Sequence, residues 1–213
     1  MSGDELVLTD CPMTAFRKIA GVGVRNIAGR SISGITILVT HTHGDHAGGI
    51  GTLIHYSYYV LHIPVTVIAP SEDVASDLFF LADRLEGCSP KGYTIMTAAQ
   101  ADKVWLTGAV PTRHSPELTG RCFGYRLNID GRNVIYTGDT AEIDPFLPYI
   151  ADGTVVYSDV SLNGSHVHIS FDELCAKLSG LKIELYLMHI DDPVKLADLI
   201  KDTEIKIAPL FDA

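Results

Sequence analysis

Four residues with metal-binding side chains follow one apolar segment of the chain. Residues 35–39 read Ile-Thr-Ile-Leu-Val and predict a buried strand, and His41, His43, Asp45 and His46 come shortly after it. In an extended segment His41 and His43 share one side, and a turn at the next glycine brings the other two back toward them. Imidazole and carboxylate groups suit zinc, and also manganese or iron. Four such groups within six residues indicate more than one ion. Their position at the end of a strand argues against a polar turn that contains histidines by chance.

A resemblance to a known family rests on this segment. The pattern His41-x-His43-x-Asp45-His46, followed by Gly48-Gly49, resembles the signature of the metallo-β-lactamase fold superfamily. The resemblance implies an α/β fold, the four-layer αββα sandwich, formed by residues 1–213 as a single hydrolase domain. Relatives open with a hairpin for which this chain has no room, so we expect a minimal sheet edge or one covered by a partner chain.

Three further apolar segments also end in ligand-type residues, namely His114, Asp139 and His189. A single histidine at a strand end is more often structural, but the set and its order match the superfamily. The resemblance implies that His41, His43 and His114 hold one ion, that Asp45, His46 and His189 hold a second, and that Asp139 bridges both.

The chemistry of such a pair of ions agrees with this division. Two neighbouring cations need an anionic bridge to offset their repulsion, and together they can generate a bridging hydroxide at neutral pH. Asp45 is also a candidate to orient that hydroxide or to accept its proton. We expect zinc, with manganese as the alternative.

The segments after His114 resemble one branch of the superfamily. Residues 123–127 and 131–140 are similar to the ribonuclease Z-type branch, whose members cleave phosphodiesters. His168-Ile169-Ser170 resembles the loop that carries that branch's proton donor, and Asp159 stands where those enzymes have a glutamate that orients the histidine. The resemblance thus implies catalytic roles for Asp45, His168 and Asp159.

Other readings of the remaining polar residues stay open. His168 could be an exposed loop histidine, in which case His166 is the second candidate for the same role. His55 and His62 are expected in the core or an interface. Arg113 should face away from the metals, because it precedes His114 on a strand.

Composition limits the class of substrate. The chain has 16 Lys and Arg against 26 Asp and Glu, a formal net charge of −10. Binding of extended nucleic acid depends on clustered basic residues, so it is not expected. We also find no glycine-rich insertion that could form the tRNA-clamping arm of ribonuclease Z. A small phosphodiester such as a cyclic nucleotide is favoured, and the branch includes phage enzymes that degrade cyclic-nucleotide defence signals.

Location and assembly follow from other segments. The acidic start lacks the features of a signal peptide, no run is long enough for a membrane span, and four widely spaced cysteines indicate buried thiols in a reducing compartment. A cytoplasmic protein without membrane contact is expected. Residues 47–61 predict a helix that is apolar nearly all round, which favours a homodimer.

The sequence therefore predicts a binuclear metal-dependent phosphodiesterase acting on a cyclic nucleotide through a metal-bridging hydroxide. A ribonuclease Z-like RNA-processing nuclease remains an alternative. So do a thioester or lactone hydrolase of the same fold and a non-catalytic nucleotide-binding protein.

Overall fold

The computed structural model of the chain describes residues 4–209, which form two compact units, residues 4–102 and 103–209. The first unit contains a four-stranded parallel sheet in the order β1-β2-β3-β4. Its strands are β1 Glu5–Thr9, β2 Gly34–Leu38, β3 Val65–Ala69 and β4 Tyr93–Thr97. All five residues of β2 are buried. This agrees with the apolar run from which the strand was predicted, since inner parallel strands are covered on both faces.

Helices connect the parallel strands of the first unit. They are α1 Met13–Val22, α2 Val24–Ala28, α3 Gly44–Ala47, α4 Ile50–Tyr56 and α5 Glu72–Phe79. The sequence predicts Ser71 as the N-cap of α5. The structure confirms it, because the Ser71 hydroxyl accepts a hydrogen bond from the backbone N–H of Val74 at 3.3 Å.

The segment predicted as one helix over residues 47–61 is broken in the structure. The break falls at Gly48-Gly49, and α4 passes into a π-helical turn, Ser57–Leu61. A Cβ atom at Gly49 would lie 2.6 Å from the carbonyl oxygen of Pro12, so the close packing there requires glycine. Within the chain the segment is not buried all round, since the apolar side chains of Tyr59 and Val60 are 63% and 57% exposed.

The second unit contains a six-stranded mixed sheet in the order β10-β9-β8-β7-β6-β5. Its strands are β5 Leu106–Pro111, β6 Phe123–Ile129, β7 Arg132–Tyr136, β8 Val155–Val160, β9 Glu184–Ile190 and β10 Lys206–Ile207. Strands β5 to β7 are antiparallel, and β7 to β10 run parallel. The predicted hairpin turn is present, with φ of +52° at Asp130 and +81° at Gly131. The short apolar run over residues 102–106 predicts a strand, but this is wrong, because β5 begins only at Leu106.

Two helices, α6 Phe171–Leu178 and α7 Pro193–Ile200, belong to the second unit. A 3-10 turn, Asp144–Tyr149, replaces the short helix predicted over residues 142–150. Side chains of β7, β8 and β9 form the core together with those of both helices, and this core includes Ile135, Val156, Leu187, Leu174 and Leu196. The backbone N–H of Glu173 donates to the Ser170 hydroxyl at 3.2 Å, which confirms the predicted cap of α6.

The two sheets with their helices confirm the predicted mixed α/β class. The four cysteines are free, and three of them are buried. Within residues 4–209 no helix combines the length and the hydropathy needed to span a membrane.

Candidate metal centre

The histidine-rich segment of the first unit lies at the carboxyl end of β2. His41 Nε2 and His43 Nδ1 are 3.0 Å apart, and the ring centroids of His41 and His46 are 4.1 Å apart. Asp45 and His46 lie in the short α3, where His46 Nε2 is 3.9 Å from Asp45 Oδ2. His41 and His46 are buried, whereas the Asp45 side chain is 64% exposed. The structure thus brings the four predicted ligands of this unit together.

A buried aspartate orients two of these imidazoles. Asp10 Oδ1 accepts the backbone N–H of Thr40 at 2.7 Å, and Asp10 Oδ2 accepts the Thr40 hydroxyl and His46 Nδ1–H, each at 2.8 Å. Because the Thr40 hydroxyl donates to Asp10, its oxygen is left to accept His41 Nδ1–H at 3.0 Å. Both histidines then carry their proton on Nδ1 and present Nε2 as a lone pair, the form that binds a metal ion.

Asp10 is a functional candidate that the sequence reasoning missed. It follows β1 directly, but it lies 30 and 36 positions from Thr40 and His46, so no local pattern indicates the contact. Its backbone has φ of +61°, which is uncommon for a residue with a side chain. Burial raises the pKa of the Asp10 carboxyl, and the hydrogen bonds from His46 and Thr40 oppose that rise.

The second unit gathers its own predicted ligands around Asp139. The Oδ2 atom of Asp139 lies 3.6 Å from His114 Nε2 and 3.6 Å from His189 Nε2. Asp139 and His114 are buried, and His189 is partly exposed. One carboxylate oxygen therefore faces two imidazole nitrogens, which is the donor chemistry expected around a divalent cation.

The position of each imidazole has a local cause. His114 Nδ1–H donates to the carbonyl of Val167 at 2.8 Å, which leaves Nε2 as the ligand atom. His189 is the extra residue of a β-bulge, because Met188 pairs with Asp159 while Ile190 pairs with Val160. Its φ of +51° is strained for a residue with a side chain, and such bulges redirect side chains beside active sites.

His168 and Asp159 meet beside this group. His168 Nδ1 is 2.7 Å from Asp159 Oδ2, and the His168 ring centroid lies 5.0 Å from that of His114 and 5.2 Å from that of His189. Although aspartate is shorter than the glutamate of the ribonuclease Z-type enzymes, Asp159 reaches the imidazole of His168. The hydrogen bond to Asp159 raises the pKa of His168, and burial raises the pKa of Asp159 to about 6. Asp159 thus supports the protonated form of the His168 ring, and the hydrogen bond fixes the orientation of that ring.

The loop that carries His168 is held by its own backbone and by one serine. The Ser165 hydroxyl accepts the N–H groups of Val167 and His168 at 3.2 and 3.0 Å, and Ser165 N–H donates to the His168 carbonyl at 2.8 Å. These bonds fix the backbone from which the His168 side chain leaves. Because the Val167 carbonyl also accepts from His114, the loop and a candidate ligand are joined.

The other candidates make contacts outside the predicted ligand set. The ring of His55 contacts the carbonyl of Glu86 at 3.0 Å and Sγ of Cys88 at 3.7 Å, and His62 contacts the carbonyl of Tyr58 at 3.2 Å. The Arg113 side chain is 60% exposed and reaches Glu142 at 3.5 Å, as expected for a surface position.

The donor set fits divalent metal ions. The candidate ligand atoms are imidazole nitrogens and carboxylate oxygens, which zinc and manganese both accept. The thiols are unsuited to this role, because burial raises the pKa of Cys11 to about 12 and that of Cys88 and Cys122 to about 11. The division of the seven ligands between two ions stays a prediction.

Comparison with known proteins identifies the relatives of the chain. A ribonuclease Z of Mycobacterium avium is 27% identical over 159 residues, which are 65% of this chain and 54% of that protein. The chain thus spans little more than half the length of this relative. The Anti-Pycsar protein Apyc1 of Bacillus phage BSP38 is 26% identical over 209 residues, which are 87% of this chain and 78% of that protein. A ribonuclease is a hydrolase, which is the enzyme class that the sequence predicts for this chain.

A solved structure and a family model agree with the resemblance read from the sequence. The metallo-β-lactamase fold protein YhfI from Bacillus subtilis superposes with a TM-score of 0.71 at 18% identity, covering 98% of this chain and 86% of that one. This likeness confirms the predicted fold. The family model described as Anti-Pycsar protein Apyc1 matches residues 1–208, so the chain belongs to the Anti-Pycsar protein Apyc1 family.

Proposed function

We propose that the chain is a metal-dependent phosphodiesterase that hydrolyses a small phosphodiester, a cyclic nucleotide. The observation that carries the proposal is the His168–Asp159 pair, which lies beside candidate metal ligands within one unit. The His168 ring centroid lies 5.0 Å from that of His114 and 5.2 Å from that of His189. These distances support a proton donor beside residues that would hold the metal ions. Hydrolysis of an ester with a poor leaving group needs metal binding and proton donation in one place.

The proposed ligands are those of the sequence prediction. His41, His43 and His114 would hold one ion, Asp45, His46 and His189 the other, and Asp139 would bridge them. Two bound divalent ions supply an activated water and offset the negative charge of the phosphate. Exposed Asp45 would orient the nucleophile, and Asp10 would keep His46 in the tautomer that binds metal.

His168 would donate the proton that the leaving ribose oxygen requires. Its Nδ1–H is held by Asp159 at 2.7 Å, so Nε2 is the atom that faces the substrate. The carboxylate stabilises the protonated ring and fixes its plane. After bond cleavage of a 3′,5′-cyclic phosphate, the product is a nucleoside monophosphate.

Charge and family membership support a small substrate. The net charge of −10 opposes binding along a polyanion. The family is named after an Anti-Pycsar protein, and its relative of that name comes from a Bacillus phage. The ribonuclease Z relatives keep RNA as an alternative substrate, and thioesters and lactones remain alternatives within the fold.

The test is a substrate panel assayed with zinc and with manganese. It contains 3′,5′-cyclic nucleotides, an oligonucleotide, a thioester and a lactone. We expect turnover of cyclic nucleotides, its loss in His168→Ala, and its retention in the control His62→Ala, which removes an exposed histidine of the first unit. Turnover of the oligonucleotide alone, or of the thioester or lactone alone, would refute the proposal.

A further inference from the structure

A cleft of about 340 Å³ opens beside His114 in the second unit. Its walls include the side chains of Pro116 and Leu118, and Arg113 and His166 contribute charge and polarity. His114 is also among the residues that line the cleft, and its Nε2 atom lies 3.6 Å from Asp139 Oδ2. The cleft therefore adjoins the group of candidate ligands, and its volume lies in the range of small-molecule sites.

Two polar side chains of the cleft are available to a ligand. Within residues 4–209 the ring of His166 makes no hydrogen bond or ion pair, although the Ser165 hydrogen bonds to Val167 and His168 hold the backbone around it. The Arg113 guanidinium, with five N–H donors, reaches Glu142 only at 3.5 Å.

The hydroxyl groups of the cleft are used locally. Ser115 donates to Glu117 Oε2 at 2.6 Å, and Thr119 donates to the Pro116 carbonyl at 2.7 Å. Besides the buried His114, the cleft thus combines apolar surface, the imidazole of His166 and the guanidinium of Arg113. These are the groups that bind a planar base with acceptors at its edge.

We propose that this cleft binds the nucleobase of the substrate, with His166 stacked on the base and Arg113 donating to an acceptor at its edge. The proposal rests on the proposed cyclic-nucleotide activity and deepens it. Because His114 belongs both to the cleft and to the ligand group, a phosphate held by metal ions at these ligands would have its nucleoside next to the cleft.

A second cleft of about 270 Å³ is lined by His168, His189, Ser161 and Asp191. The Asp191 carboxylate already accepts the Ser161 hydroxyl at 2.7 Å and the N–H of Leu162 at 3.1 Å, so it holds the loop. His168 and His189 have other roles in the proposed function, as proton donor and metal ligand. This cleft therefore suits a base less well.

The test compares two substrates that differ only in the base. One is a 3′,5′-cyclic nucleotide, and the other is methyl ribofuranoside 3′,5′-cyclic phosphate, which has the same reacting bonds without a base. Loss of stacking in His166→Ala should lower kcat/KM for the nucleotide about 5- to 150-fold. The loss for the base-free substrate should be much smaller, so the preference of the wild type for the nucleotide collapses. Arg113→Ala should act in the same direction.

Two further variants separate stacking from other roles. His166→Phe keeps a ring but cannot donate a proton. It should therefore retain most of the wild-type preference for the nucleotide over the base-free substrate. Arg132→Ala is the matched control for Arg113→Ala, because Arg132 is an exposed arginine of the same unit that also pairs with a glutamate, Glu184. This control should keep the wild-type preference.

The outcomes distinguish this proposal from the proposed function. A wild type that hydrolyses both substrates equally well keeps the phosphodiesterase and overturns the base site. Equal losses on both substrates in His166→Ala would also overturn it, because they would point to catalysis. A wild type that hydrolyses neither substrate, nor any other cyclic phosphodiester, overturns the proposed function and the base site together.

Discussion

Replacing Asp10 by asparagine should weaken metal binding although Asp10 is not a proposed ligand. Asp10 Oδ1 accepts the backbone N–H of Thr40, which cannot move away, so the asparagine oxygen should take that place. The new amide NH₂ group then occupies the position of Oδ2, which accepts the Thr40 hydroxyl and His46 Nδ1–H at 2.8 Å. The hydroxyl can rotate, but the imidazole can avoid a clash of donors only by moving its proton to Nε2.

That proton would block the nitrogen through which His46 is proposed to bind. Loss of such a supporting hydrogen bond typically costs 10- to 100-fold in metal affinity, or about 1.4 to 2.7 kcal/mol. The assay is competition for zinc with a chromogenic chelator. Asp102→Asn is the matched control, because it makes the same charge change at an exposed aspartate of the same unit.

The measurement needs one safeguard, because a mismatched buried donor also costs about 1–3 kcal/mol of stability. Affinity should be compared at a temperature where circular dichroism shows both variants folded. An Asp10→Asn protein that is folded and binds zinc as tightly as Asp102→Asn would refute the proposed tautomer control.

Three further predictions concern metal content, proton donation and assembly. The wild type should carry close to two divalent ions per chain by elemental analysis, and Asp139→Ala should lose one or both; an active wild type with a single ion would contradict the binuclear proposal. His168→Ala should lower turnover about 10²–10⁴-fold on substrates with a poor alkoxide leaving group and far less on a nitrophenyl ester. Wild-type turnover of the substrates with a poor leaving group should fall as pH rises through the raised pKa of His168, because the protonated donor is lost. Light scattering should report a homodimer at micromolar concentration, since Tyr59 and Val60 expose apolar surface, and Tyr59→Glu should weaken it; a wild-type monomer would disprove this.

Local chemistry explains which elements could be predicted from the sequence. The hairpin turn at Asp130-Gly131 and the caps at Ser71 and Ser170 depend on neighbouring residues, and the structure contains all three. At the interruption after residue 47, Gly49 packs against the Pro12 carbonyl and donates its N–H to the Cys11 carbonyl, and both partners are distant in sequence. The periodicity of the segment alone could not indicate it.

The same distinction applies to the candidate site. Histidines and aspartates at strand ends identified the predicted ligands, because residue type and position are both visible in the sequence. Asp10 was missed because its role depends on contacts with distant residues. The bulge at His189 was also not foreseen, since it arises from the pairing of β9 with β8 and not from the residues of β9 themselves.

The hydrogen bond from His114 to Val167 bears on the interpretation of mutational scans of this chain. The acceptor is a main-chain carbonyl, so every substitution at position 167 retains it. A scan would score the position as tolerant although its oxygen orients a candidate ligand. Only a change to the chain itself, such as an inserted or deleted residue between Ser165 and His168, would remove the contact. Insertions and deletions in this loop should therefore be far more damaging than any side-chain replacement at Val167.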